Sequence, residues 1–339
     1  MGFQHRDTVD DCARARHAGF RAERWQVGSK DHDVDDTDKS TPFWEHPLWT
    51  ALVKTVLVLS IVALGGGYLG WLHPAGDSLA VGRGIASAMV FFSALLAISA
   101  GMRLAAFGSI LLSILTGTAV ALACLWPGPP GSLLLYQKNM RFDNSDLAGL
   151  EADIRAADPL VLTLQEVSEP NLALLAALKD RWPHQHVCAF AKVGGTAVLS
   201  RLAPVPGVTA CARGLAAMQV ISESANTSTP VWIVSVHLNW PWPYGQARHS
   251  DELARDLAGL EGLVLMGGDF NMVRWGYSVE HLAAVAGVKV AGPMQGTYLG
   301  FGSMLALPLD HVFAPQSGRV TYRPLLGSDH LGLLGSLAL

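Results

Sequence analysis

Charge is scarce in this 339-residue chain: 15% of residues are Asp, Glu, Lys or Arg, against about a quarter in ordinary soluble domains. Nor is there a basic excess, since 24 Lys and Arg stand against 28 Asp and Glu. A protein built mainly to grip nucleic acid nonspecifically carries a basic surface, and by count this one has none, although a local basic patch stays open. Cysteine is rare too. Cys12, Cys124, Cys188 and Cys211 form neither a CxxC pair nor a zinc spacing, which removes the usual structural-zinc and dithiol motifs. Cys188 and Cys211 either pair, in an oxidising compartment, or stand as two separate buried thiols. No internal repeat is visible.

What is present falls into three zones. Residues 1–47 are rich in both charges and include the acidic stretch KDHDVDDTDKS. Without apolar periodicity, they read as a disordered polar tail. Residues 48–130 hold half of no charge class and very little of any: three basic residues and one acid. Residues 131–339 return to a mixed composition, with 17 acidic and 14 basic residues.

The middle zone contains apolar runs at about 52–72, 79–100 and 104–126. Each is long enough to cross a hydrocarbon core. Trp44, Trp49, Trp71 and Trp126 flank the runs as interfacial anchors do, and Lys54, Arg83 and Arg103 sit near run ends where they can snorkel. A buried soluble helix or a cleaved leader fits three such runs poorly. Lys39, Lys54 and Arg103 fall on one side and Arg83 on the other, which favours the tail inside. Three spans then place the last zone outside the cytoplasm, in a multi-pass inner-membrane protein with a periplasmic or extracytoplasmic domain. WPGPPGS, at 126–132, is a Pro/Gly linker between the two.

After residue 131, strand-like apolar runs alternate with helical patterns. LLLYQKN, PLVLTLQEV, HQHVCAF, GTAVLSR, AAMQVIS, PVWIVSVHL, GLVLMGGDF, PLDHVFA, RVTYRP and LGLLGSL read as strands. SDLAGLEADIRAA, SEPNLALLAALKDRW, GQARHSDELARDLAGL and YSVEHLAAVAG read as helices. This order predicts an α/β class: two sheets back to back, covered by helices.

Chemistry gathers at the strand ends. Asn139, Glu166, His237, Asp269 with Asn271, Asp310, and Ser328-Asp329-His330 each close or open a strand. A single polar strand end is an ordinary turn. Six ends drawn from this chemical set instead suit a hard cation such as Mg²⁺ and proton transfer by histidine.

The order QKN, LQEV, VHL, GGDFNM, LDHVF and GSDH resembles the endonuclease/exonuclease/phosphatase superfamily over roughly residues 133–339. That superfamily includes DNase I-like nucleases, abasic-site endonucleases, inositol polyphosphate 5-phosphatases and neutral sphingomyelinases. The resemblance implies a four-layer α/β sandwich, two packed mixed sheets flanked by helices. It implies that Glu166 is the main Mg²⁺ ligand, with Mn²⁺ the alternative ion, and that Asn139 and Asp329 complete or support the metal site. Asp269 and Asn271 resemble the pair that positions water and phosphate. His330 resembles the phosphate-binding or basic histidine, oriented by Asp310, and His237 the second active-site histidine. Which histidine moves which proton stays open. Thr297 matches a supporting position.

Other residues divide between two readings. The aromatics of NWPWPYG, at 239–245, flank substrate, touch a membrane surface or simply pack. Arg248 reaches phosphate or lies on a solvated helix face. Arg201 and the glycines of GGTAVLSR read as structural, as do His184, His186 and His311. NTS, at 226–228, fits a glycosylation sequon.

The expected activity is therefore a membrane-anchored, metal-dependent phosphoester hydrolase, most simply a phosphodiesterase with an Asp/His-activated water. Its substrate is nucleic acid or phospholipid (inositol phosphates included), and no protein partner follows from the sequence. The domain lacks long insertions for wrapping a duplex. The alternative is a non-catalytic membrane-anchored sensor or scaffold that reuses the fold.

Overall fold

The computed structural model describes residues 42–191, 193–224, 227–300 and 305–339. Most of the expected tail, Cys12 and the first residue of the sequon, Asn226, lie outside the described residues.

The described chain opens with a single 3-10 turn, Phe43–Glu45, and α1 (Pro47–Gly66) follows at once. His46 caps it, its Nδ1 accepting from the Leu48 N–H at 3.2 Å, and Pro47 fills the first helical position, where no N–H is needed. The helix stops in the run Gly65-Gly66-Gly67, so the apolar stretch ending at Leu72 is not helical to its end. Next come α2 (Ala75–Val81) and α3 (Arg83–Ser99), which meet at Gly82 with a bend of 72°. A turn then leads to α4 (Arg103–Leu125). Helices α1 and α4 are long and apolar enough to cross a membrane, and the bent pair α2–α3 meets the same test when taken together. Small polar residues stitch α3 to α4. Ser87 Oγ donates to the Ser113 carbonyl and Ser113 Oγ to that of Ser87, both at 2.9 Å. Such residues let apolar helices approach closely.

Among the described residues, twelve strands form two six-stranded sheets. The first has the order β11-β12-β1-β2-β4-β3, built from β1 (Leu133–Asn139), β2 (Val161–Val167), β3 (His184–Ala191), β4 (Gly194–Ser200), β11 (Gly318–Arg323) and β12 (Gly332–Leu337). The second has the order β5-β6-β7-β8-β10-β9, built from β5 (Pro204–Ala212), β6 (Leu215–Ser224), β7 (Thr227–His237), β8 (Leu263–Asp269), β9 (Lys289–Val290) and β10 (Asp310–Ala314). Both sheets are mixed: β1–β2 and β7–β8 run parallel, the other pairs antiparallel.

Three apolar cores separate four layers. Helices α5 (Leu147–Ala157) and α6 (Leu172–Leu178) bury Leu150, Ile154, Leu174 and Leu178 against Tyr136, Leu162 and Leu164 of the first sheet. Val161, Val198, Ile233, Leu265 and Val312 fill the space between the sheets. On the far side, α7 (Gln246–Ala258) and α8 (Tyr277–Val285) bury Leu253, Leu257, Val279 and Leu282 against Val234 and Met266. The structure is thus the expected α/β sandwich. Two strands, β5 and the two-residue β9, have no counterpart among those expected. In β5, Pro204 and Pro206 mask the strand pattern, and the strand sits at a sheet edge, where proline is tolerated. Cys188 on β3 and Cys211 on β5 form a disulfide. Since β3 and β5 are edge strands of different sheets, the bond staples the two sheets along one side.

The domain is fastened to the helical block by polar contacts. Asp77 of α2 is buried, and its carboxylate accepts from the backbone N–H of Tyr277 (2.6 Å) and Ser278 (3.0 Å) and from Ser278 Oγ (2.5 Å). These are free donors at the N-terminus of α8, where a carboxylate is favoured. Trp275 Nε1 donates to the Ala80 carbonyl at 2.8 Å, and Arg274 Nη1 to that of Ala123 at 3.0 Å.

Candidate active site

The parallel pair β7–β8 and the antiparallel pair β8–β10 place His237, Asp269 and Asp310 opposite one another in a single row. Residues in one row of a sheet share a face, here the face toward the first sheet. Two residues upstream on that face is Gly267, where a Cβ would stand 2.5 Å from Thr163 Oγ1. Glycine therefore lets the two sheets close up beneath Asp269, and this explains part of the Gly-Gly in LVLMGGDFNM. From the first sheet, β1 ends at Asn139, and β2 carries Glu166 one residue before its end at Val167.

Asp269 is the hub. It is 1% exposed. Its Oδ2 accepts from Asn139 Nδ2 at 3.0 Å and lies 3.7 Å from both His237 Nε2 and His330 Nε2. Its Oδ1 accepts from the Asn271 backbone N–H at 2.8 Å. Asn139 Nδ2 also donates to Glu166 Oε1 at 3.1 Å, so one amide bridges the two carboxylates. Glu166 Oε2 accepts from the Phe142 N–H at 2.9 Å. Glu166 and Asn271 have φ of 56° and 48°. This left-handed backbone is uncommon for Glu, and at Glu166 it coincides with an irregularity in the β2–β4 register. Such local strain is a frequent companion of functional side chains.

Asp310 lies behind His330, with its Oδ2 2.7 Å from His330 Nδ1. It is held from three sides. Gln137 Nε2 donates to its Oδ1 at 3.0 Å. The backbone N–H groups of Leu309 and Asp310 donate to Thr297 Oγ1, both at 3.1 Å. Gln137 also donates to Gln165 Oε1 (2.8 Å), and Gln165 Nε2 to Ser235 Oγ (2.9 Å). A buried polar layer between the sheets thus fixes the acid that fixes the histidine. Lys138, fully buried, donates from Nζ to the carbonyls of Pro324, Leu325 and His330 and pins the final loop. Burial lowers its pKa to about 8.

The two histidines are driven apart electrostatically. Burial alone would lower His330, but the charges of Asp310 and Asp269 and the Asp310 hydrogen bond raise it to about 10. Burial takes His237 well below its ordinary value, against the pull of the Glu166 charge. Burial also raises Asp269, with the Asp310 charge adding to it. At neutral pH the centre therefore offers a cationic His330, a neutral His237 and a proton-hungry Asp269.

Every residue proposed from sequence for the site is accounted for. Asn139, Glu166, His237, Asp269, Asn271, Asp310 and His330 converge. Asn139 turns its NH₂ toward the carboxylates, while its Oδ1 accepts from the Arg141 N–H at 3.0 Å. Asn271 is folded into the wall, its Nδ2 donating to the Leu238 carbonyl at 2.8 Å, while its Oδ1 is buried without a partner among the described residues. Asp329 makes no side-chain hydrogen bond among the described residues, but its charge acts on His330, Lys138 and Tyr298. His311 lies apart, its Nε2 against the Met272 carbonyl. Arg248 is exposed beside Glu252, and Arg201 pairs with Asp158.

Glu166, His237 and Asn271 open onto a cleft of about 400 Å³ whose other walls include Phe190, Trp240 and Tyr244. Arg213 stands exposed at its mouth, donating to Asn239 Oδ1 at 3.2 Å. Neither Phe190 nor Arg213 was marked in the sequence, since nothing local to either sets it apart. A larger cavity of about 690 Å³ lies at the other strand ends, around Thr229 and Leu263, away from these groups.

The donor set fits a divalent hard cation. Glu166 offers a carboxylate at the cleft, bridged through Asn139 Nδ2 to the Asp269 carboxylate. Oxygen-rich groups with few protein ligands suit Mg²⁺, which keeps water in its shell.

The sequence model described as the endonuclease/exonuclease/phosphatase family matches residues 137–330, more than half of the chain. The chain belongs to that family, whose members hydrolyse phosphoesters. No curated protein matches it. Among solved structures, truncated TDP2 from Caenorhabditis elegans is similar at 19% identity and a TM-score of 0.45, covering 60% of this chain and 96% of that one. Staphylococcus aureus beta toxin, in a variant with bound magnesium ions, gives 13% and 0.44, covering 61% and 100%. An endonuclease/exonuclease/phosphatase from Bacteroides vulgatus gives 17% and 0.48, covering 61% and 98%.

Proposed function

We propose that the protein is a membrane-anchored, Mg²⁺-dependent phosphodiesterase whose domain, residues 133–339, works outside the cytoplasm. The observation that carries this reading is the Asp269 carboxylate, shared by Asn139, His237 and His330 and bridged through Asn139 to Glu166. Glu166 would hold the cation, with Asn139 and Asp329 in support. When bound, the ion supplies charge neutralisation at the phosphoryl oxygens.

The chain's own groups divide the remaining work. Asp269 Oδ2 takes the proton of the attacking water, for which its raised proton affinity suits it. Its Oδ1, tied to the Asn271 N–H, fixes the carboxylate plane. His330, kept cationic by Asp310, donates from Nε2 to a phosphoryl oxygen. His237, neutral and at the cleft wall, hydrogen-bonds a second oxygen.

Two features support the setting. The Cys188–Cys211 disulfide suits an oxidising compartment. The loop after His237 is tied to the helical block, with Ser78 Oγ donating to the Trp242 carbonyl at 2.9 Å and His73 edge-on to the Trp242 ring. A cleft mouth carried at the top of membrane helices favours a phospholipid diester over nucleic acid as substrate.

The test is the full chain in detergent with Mg²⁺ on bis-(p-nitrophenyl) phosphate, then on phospholipid vesicles, DNA and RNA. Hydrolysis by wild type and its loss in Glu166→Ala are expected. Equal rates from both, or none from either across the panel, would favour the non-catalytic scaffold. Cleavage of DNA that collapses with added salt would favour nucleic acid.

A further inference from the structure

The joint between the helical block and the domain encloses a cavity of about 160 Å³ that no step above uses. Arg83, Glu280 and the rings of Tyr68, Trp71, Trp275 and Tyr277 line it. A smaller hollow of about 80 Å³ shares Tyr68, Arg83 and Trp275 and continues along Ala119, Val120 and Ala123 of α4.

Arg83 is nine-tenths buried. Its Nη2 donates to the carbonyls of Gly67 (2.6 Å) and Trp275 (3.3 Å), and its guanidinium stands 3.9 Å over the Tyr68 ring. Its Nε is buried with no partner among the described residues. Burying a cation is costly, and an anion in the cavity that Arg83 lines would offset that cost. Glu280 stands at the rim, exposed. Its charge acts on Arg83 across the space, yet the two form no ion pair among the described residues. A cation beside Glu280 and the aromatic rings would be held by charge and by the ring faces.

The cavity thus presents a buried positive group, a free negative group, aromatic walls between them and an apolar exit along a membrane helix. It is too small for a drug-sized ligand, which needs about 300 Å³ or more. Trp71 and Trp126, 64% and 68% exposed, lie at the same end of the helices, the level of an interfacial belt.

We propose that this joint binds one zwitterionic phospholipid: its phosphate on Arg83, its amine against Glu280, Trp71 and Tyr277, and the start of its acyl chains along α4. This site is separate from the cleft, and its occupant need not be a substrate. The assignment rests on the membrane-anchored reading alone, not on the catalytic one.

The experiment uses the full chain in nanodiscs of equal parts phosphatidylethanolamine and phosphatidylglycerol, extracted gently into detergent. Lipid that stays bound is counted by native mass spectrometry. Wild type is expected to keep one lipid, enriched for phosphatidylethanolamine by up to about fivefold, the scale of one partly exposed ion pair. Glu280→Gln should erase that preference while keeping a bound lipid. Arg83→Gln should keep none, but Arg83 also holds the joint together, so Glu280→Gln carries the decision. Soluble phosphoethanolamine should compete poorly, because it lacks the apolar part. Wild type without a preference, an unchanged preference in Glu280→Gln, or full displacement by phosphoethanolamine would each overturn the assignment. A chain that does not enter nanodiscs at all would instead overturn the anchoring beneath it.

Discussion

His330 Nδ1 and Asp310 Oδ2 are 2.7 Å apart, and both side chains are buried. The contact orients the ring so that its other nitrogen, Nε2, faces Asp269 at 3.7 Å. The pair therefore sets both the direction and the charge of the imidazole.

Asp310→Asn removes that charge. The variant is expected to lose about 10²- to 10⁴-fold in kcat, the range of a positioned proton-transfer group, with the alkaline limb of its pH–rate profile moved to lower pH. His330 is raised to about 10 in the folded protein against about 6.5 unfolded. Its contribution to stability is thus complete below about pH 6.5 and lost as pH rises through about 10, on the order of a few kcal/mol. Thermal melts of wild type from pH 6 to 10 should show this loss, and Asp310→Asn should show less of it. Equal slopes would count against a cationic His330.

Glu166 and Asn139 are separated by the strength of their effects on metal binding. Glu166→Ala should abolish Mg²⁺-dependent turnover. Asn139→Ala, which removes a bridging amide but no carboxylate, should raise the Mg²⁺ concentration needed for half-activity by about 10- to 100-fold, as loss of an outer hydrogen-bonding partner does. Mg²⁺ titrations of the rate decide between them. The reverse ranking would move the ion away from Glu166.

The Cys188–Cys211 disulfide closes a loop with a sequence separation of 23. The chain-entropy relation assigns such a loop about 3 kcal/mol. Reduction, or Cys211→Ser, should lower the melting temperature by roughly 6–12 °C for a domain of this size. A shift under two degrees would mean that packing alone holds β3 to β5.

Asp77→Ala leaves three donors at the start of α8 without their acceptor. The cost should be about 2–4 kcal/mol, and residues 272–280 should become the first site of limited proteolysis. Asp77→Asn, which can still accept, should lose less. Unchanged protease resistance in Asp77→Ala would show that the apolar contacts suffice.

Much of the sandwich and its centre was legible in the sequence because strands end abruptly. LTLQEV and VLMGGDFN pass from an apolar run to an acid within a residue or two, so the chemistry stands out against its background. What stayed hidden depends on partners distant in the chain. The Gln137–Gln165–Ser235 layer reads as three ordinary strand residues until two sheets face each other. The left-handed residue within β2, Glu166, has no glycine to announce it. Phe190, on β3, and Arg213, in the turn between β5 and β6, become cleft residues only once the two sheets face each other. Asp77 left a faint trace: it is the lone acid between residues 48 and 130. Pro47, expected in the tail, already begins a helix, and Gly82, expected inside the span at about 79–100, is where the chain turns sharply, because capping and glycine placement, not hydropathy, set helix limits.

The stretch from Asn271 to Ser278 is shared property: its first residue lines the cleft, and its last is gripped by Asp77 seven positions later. So short a span leaves no slack for a swinging head on a tether. In the membrane-anchored protein proposed above, the distance between the reactive centre and the lipid surface would be set by the covalent chain itself, and the substrate met at one fixed elevation.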